Sequence, residues 1–200
     1  MLGRLFDAKI FVISVLAGVI VTAAGASYAE RTEKGITDNV IRLHILANSD
    51  REIDQTLKLR VRDEILARYG EILNGKDISS ARSLILENLP KIQETAQNAV
   101  YSGGAAYSVS AKLEKSAFPT KTYGDIALPA GTYEALRIEI GAAKGRNWWC
   151  VMFPPLCFVD AAQVSDEMKD KLRENLPAES YNVVTNPVKV KFKIVEIFHK

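Results

Sequence analysis

The sequence predicts an α+β fold: a single domain with a mixed, mostly antiparallel sheet and helices packed on one face, preceded by an N-terminal hydrophobic export segment. Three observations lead there. Helical periodicity is concentrated between residues 49 and 103, whereas period-2 alternation dominates from 107 to 153, and such segregation of runs is the mark of α+β packing. The element order reads β, α, α, three or more β, α, β, which suits helices packed on one face of a mixed sheet. Finally, Arg4 and Lys9 lead into an uncharged apolar run from Ile10 to Ala26. With 200 residues, 48% of them apolar and 25% charged, the composition is that of an ordinary globular domain. A net charge of +2, with the basic residues interleaved among acids, argues against a nucleic-acid partner.

Residues 1–29 read as a signal peptide or an uncleaved membrane anchor. Ala24-Gly25-Ala26 and Ser27-Tyr28-Ala29 both offer small-residue cleavage patterns, while the apolar run lies near the lower length limit for a bilayer span. Either way, the remainder is placed outside the cytoplasm. Residues 30–39 read as a polar linker, and 40–200 as the extracytoplasmic domain. Val40 to Ala47 alternates as a strand, with Ile41, Leu43 and Ile45 on one face and Arg42 and His44 on the other. Ser49 followed by Glu52 fits a capping box, opening a helix with Ile53, Leu57, Val61, Ile65, Tyr69 and Ile72 as its apolar stripe. Asp54, Lys58 and Arg62 recur at i, i+4 as an ion-paired flank, and Asn74-Gly75 supplies a stop.

Ser79 or Ser80 can cap a second helix, with Ala81, Ile85, Leu89, Ile92, Ala96 and Val100 in phase across Pro90, where a kink or a division is expected. Gly103-Gly104 ends it. Strands follow at Tyr107–Leu113, Tyr133–Ile140 and Trp148–Phe153, the last two joined by a hairpin over Gly141 to Asn147. Phe118-Pro119 and Leu128-Pro129-Ala130-Gly131 punctuate the run. A short helix from Ser165 or Asp166 to Leu176 closes at Pro177, and Val188 to Phe198 alternates as a last strand.

The unusual residues gather between Gly141 and Cys157, which holds both tryptophans and both cysteines. A basic tip with Lys144 and Arg146 leads through Asn147 into Trp148-Trp149, which in an extended segment must point to opposite faces. One indole suits the core; the other suits a recognition surface, where Trp and Arg are over-represented. Cys150 and Cys157 can pair in an exported protein if Pro154-Pro155 reverses the chain. For catalysis the sequence offers little. His199 is penultimate, His44 sits near Asp50 and Asp54 but reads more simply as a hydrogen-bonded core histidine, and a Cys150 nucleophile with His44 as base is a remote reading. No metal or cofactor motif is expected. GAAKGRN lacks the spacing of a phosphate-binding loop.

Three long strings carry a family resemblance: IRLHILANSD with DQTLKLRVRDEIL (Ile41–Asp50, Asp54–Leu66), FPTKTYGDIALPAGTYEALRIEIG (Phe118–Gly141) and GRNWWCVMFPPLCFVD (Gly145–Asp160). Together they make the chain resemble the stage II sporulation protein R family of endospore-forming bacteria. The resemblance implies a non-enzymatic signalling protein, exported from the forespore into the intermembrane space. There it would activate a membrane-embedded aspartic protease of the mother cell, which processes the sigma-E precursor. Lys144, Arg146, Asn147, Trp148 and Trp149 are the expected partner contacts, although the family motif does not single them out; the strand carrying Arg42 and His44 is an equally physical contact. A secreted thiol-dependent or cell-wall hydrolase using Cys150 or Cys157 is the competing expectation, and a passive adhesion domain a third.

Overall fold

The computed structural model describes residues 2–70, 77–157 and 166–186. Helix α1 (Leu2–Thr37) spans 36 residues, and its apolar part from Lys9 onward is long enough to cross a membrane. The expected linker is not one: Glu30 to Thr37 continues the helix, and Thr32 and Ile36 are buried. The polar composition hid a docked turn. Ser180 donates to the Thr32 carbonyl at 3.0 Å, and Asn39 to the Gly35 carbonyl at 2.9 Å, so the foot of α1 is fastened to the domain.

Strand β1 (Ile41–Leu46) is buried on both faces, a property of central strands. It runs parallel to β5 (Gly131–Ile140) and antiparallel to β6 (Asn147–Phe153), while β2 (Val109–Phe118) pairs antiparallel with β5, giving the order β2-β5-β1-β6. The expected hairpin between β5 and β6 therefore does not form. Alternation marks a segment as a strand but does not choose its neighbour, and β1, apolar enough to be covered on both sides, takes the central place. Residues 141–146 instead bridge over the end of β1, with the Gly145 amide on the Ala47 carbonyl (2.9 Å) and that of Lys144 on Asn48 (3.2 Å).

Helices α2 (Glu52–Tyr69) and α3 (Ile78–Ser102) cover one face. Leu57, Val61 and Ile65 from α2 are buried, as are Ala81, Ile85, Ile92, Ala96 and Val100 from α3; the main core cluster sets residues of both helices against Leu43, Ile45, Leu136, Ile138 and Cys150. Ile53, expected in the apolar stripe, is 53% exposed. The predicted capping box is absent: Arg51 is the N-cap of α2 with no side-chain cap, and Ser49 turns to Asp54. For α3 the cap is Asp77, which accepts the Ser80 amide at 2.9 Å, one turn earlier than the serines suggested. The helix continues through Pro90 without division and ends at Gly103, followed by Gly104 at φ +83°.

The opposite face carries a second core. The foot of α1, the small hairpin of β3 (Lys121–Tyr123) and β4 (Ile126–Leu128), α4 (Asp166–Asn175) and α5 (Ala178–Thr185) close over Phe118, Tyr133, Ala135 and Val151. α5 lies beyond Pro177, where the sequence signalled only an end. The expected stop at Asn74-Gly75, Ile72, the last strand at Val188–Phe198, and His199 lie outside the described residues.

Candidate functional site

The loop between β5 and β6 is held by a polar knot. Asp54, fully covered, accepts from Ser49 (2.5 Å), Asn48 (3.0 Å) and Arg51 (3.4 Å). Asn48 also accepts the Ala142 amide at 2.9 Å, while Asp50 accepts that of Arg146 at 2.7 Å. Gly145 lies so close to Ser49 that a side chain there would strike backbone. Gly141, at φ +57°, is likewise pressed on Asn48. Burial pushes the Asp54 carboxyl up, but the hydrogen bonds from Ser49 and Asn48 outweigh it, so its pKa lies below the usual value. The expected ion-paired flank of α2 is thus divided. Asp54 serves the knot, while buried Lys58 donates to Gln55 Oε1 (2.6 Å) and the Arg146 carbonyl (3.0 Å).

Trp148 and Trp149 point to opposite faces, as an extended segment requires. Trp148 lies on the helix side, with the Arg62 guanidinium 4.3 Å above its ring. Its Nε1 is buried and has no acceptor among the described residues. Trp149 lies on the other side, stacked on His44 at 3.8 Å and edge-on to Phe118 at 4.7 Å. His44 donates through Nε2 to Asn147 Oδ1 at 2.9 Å, with burial as the main cause of its lowered pKa. It is a covered, hydrogen-bonded histidine, and Asp50 and Asp54 are engaged elsewhere. Beside it, Arg42 is wholly buried with no carboxylate paired to it among the described residues; its charge rests over Phe118 (4.2 Å) and Tyr133 (4.9 Å), and Nη2 donates to the Tyr123 hydroxyl at 2.9 Å. Lys144 and Arg146 are exposed at the loop, Arg146 within 3.6 Å of Asp50.

Cys150 and Cys157 form a disulfide, their α-carbons 5.6 Å apart across the Pro154-Pro155 turn. Cys150 is in register with Leu43 on the helix side, whereas His44 faces away. The sheet therefore separates the one imagined nucleophile from its base. Among the described residues no cluster of His, Cys, Asp or Glu suits a metal ion.

The strings that form this knot, strand and turn fall within the match to the family described as Stage II sporulation protein R (spore_II_R), which covers residues 37–163. The chain belongs to that family. It is similar to the Stage II sporulation protein R of Bacillus subtilis (strain 168), 41% identical over 170 residues, 81% of this chain and 75% of that protein. No solved structure matches. Family membership marks the chain as a sporulation protein, and the apolar α1 is compatible with a signal segment or membrane attachment. Sequence reasoning missed Lys58, Arg62, Tyr107 and Tyr123 as parts of the site. The i, i+4 spacing put Lys58 and Arg62 on one helix face, but nothing local showed that β6 would lie against it. Tyr107 lies just before β2, and its hydroxyl accepts from Arg51 at 2.6 Å, a contact 56 residues apart in sequence.

Proposed function

We propose that this domain is an extracytoplasmic signalling ligand of sporulation: exported from the forespore into the intermembrane space, it binds a membrane-embedded aspartic protease and favours its active arrangement, so that the sigma-E precursor is processed. A ligand shifts such an equilibrium only by its differential affinity for the two states. The observation that carries the reading is membership of the stage II sporulation protein R family over residues 37–163. The site agrees with it. Both cysteine sulfurs are bonded to each other, so a thiol hydrolase has no free nucleophile in this form, and an exposed basic loop next to two tryptophans has the composition of a binding surface.

The test is precursor cleavage in a host that expresses the protease, its substrate and the full chain, with and without the chain. Cleavage that depends on the chain is expected. Cleavage indifferent to the chain overturns the assignment.

A further inference from the structure

Resting on that reading, we infer that the partner is recognised on the Trp148 side of β6, through an acidic segment that seats its carboxylates among Lys58, Arg62 and Arg146. The arrangement there is rich in donors and poor in acceptors. Lys58 is 5% exposed and uses two of its three N–H groups, on Gln55 and on the Arg146 carbonyl. No carboxylate touches it among the described residues. The Trp148 indole N–H is buried without an acceptor among the described residues, and an orphaned donor of this kind costs free energy until something accepts from it. The Arg62 guanidinium carbon sits over the same indole, 4.3 Å from the ring centroid.

Among the described residues, two acids pair with these cations. Asp63 pairs with Arg62 at 2.7 Å and is largely in solvent, and Asp50 reaches Arg146 at 3.6 Å after accepting its amide at 2.7 Å. Lys144, exposed on the same loop, adds a further positive charge, so the patch keeps an excess of cations. Burial lowers the Lys58 pKa, and Arg146 and Arg62 push it in the same direction, as expected where cations converge. The Trp149 side is different in kind. There Arg137 pairs with both Glu114 and Glu139, at 2.9 and 2.6 Å, and exposed Lys112 balances the second carboxylate. A carboxylate-bearing partner is therefore complementary to one side and not the other.

The experiment compares precursor cleavage by the full-length wild type with Arg62→Glu, Arg146→Glu and Lys144→Glu, each checked for export and folded yield. Lys112→Glu, an equal charge change on the other face, is the control. Each reversal in the patch should lower cleavage about tenfold, the scale of one interfacial charge worth about 1.4 kcal/mol. The control should match wild type. Arg62→Lys, which keeps the charge and loses the guanidinium over the indole, should retain most activity, and it keeps the test open if Arg62→Glu misfolds. A wild type that activates alongside fully active patch variants overturns this inference and leaves the signalling reading standing. A wild type that does not activate overturns the signalling reading. The patch is then decided by titrating the full chain in detergent with a glutamate hexamer and a lysine hexamer. Tryptophan fluorescence should respond to the acidic peptide alone and lose the response in high salt; equal responses to both, or none, overturn the patch as well.

Discussion

Trp148 and Trp149 are neighbours in sequence, yet the sheet gives them opposite constructions. Trp149 belongs to an aromatic pile, with His44 and Phe118 against its ring and the buried Arg42 charge resting on Phe118 next to it. Trp148 instead packs against the main core cluster, under Arg62 and on the strand that follows a loop fastened by Asn48 and Asp50. Both rings back onto apolar core, but Trp149 is covered by other rings and Trp148 by a cation. The lesson is that residue type did not assign these roles. The register of β6 on β1 did, by sending alternate side chains into two different solvents.

The largest test of that contrast is truncation. Trp149→Ala should destabilise the domain by about 3 kcal/mol, because it removes a ring packed against two others and leaves a cavity. Trp148→Ala should cost less, about 2 kcal/mol: both rings are partly exposed, but Trp148 has the Arg62 cation over it where Trp149 has two rings against it. Thermal melts of the full chain in detergent would measure both. Equal losses would mean that the two sides are not built differently.

A smaller effect probes the polar side. Asp54→Asn keeps the volume of the side chain but removes the charge that Ser49, Asn48 and Arg51 converge on. Charge-assisted hydrogen bonds are about twice as strong as neutral ones, so a loss of about 2 kcal/mol is expected. Proteolysis within residues 141–147 should rise in step. A variant as stable and as protected as wild type would show that the loop's own bonds to Asn48, Asp50 and Ala47 hold it without the Asp54 charge.

Much of this was legible in the sequence, and the failures share a cause. The α+β class, the strand at Ile41–Leu46, both long helices and the opposed tryptophans follow from local period and turn chemistry. What local pattern does not encode is pairing. The Gly141–Asn147 segment has the glycines of a hairpin, but Gly141 and Gly145 are there to approach Asn48 and Ser49 while the loop crosses the end of β1. The same gap hid the division of labour along α2. Asp54 and Lys58 look like an ion pair in one dimension, and they are drawn apart by partners that lie about ninety residues on, or a few residues before the helix. The foot of α1 was misread for a related reason, since Thr32 and Ile36 sit among polar residues and are buried by elements distant in sequence, among them α5, which the sequence did not signal.

The smallest effect is also the most selective, because the two sides titrate in different ranges. Burial, and then Arg137, lower the His44 pKa; the Asn147 hydrogen bond, Glu139 and Glu114 act in the opposite direction without reversing it. The folded value therefore lies below the unfolded one, about 6.5, and the unfolded chain binds more protons just beneath that pH. Stability contributed by the Trp149 side is fully present above about pH 6.5 and falls as the pH drops through the window beneath it. Asp54 is also lowered, from an unfolded value of about 3.9, so the polar side keeps its contribution down to about pH 4 and loses it only as the pH falls through the folded value. Melting wild type, His44→Asn and Asp54→Asn between pH 7 and pH 3 should separate the two. His44→Asn should flatten the upper step and leave the lower one, and Asp54→Asn should do the reverse. If a single variant removes both steps, the knot and the aromatic pile are one coupled network, and the division between the two sides of β6 fails with it.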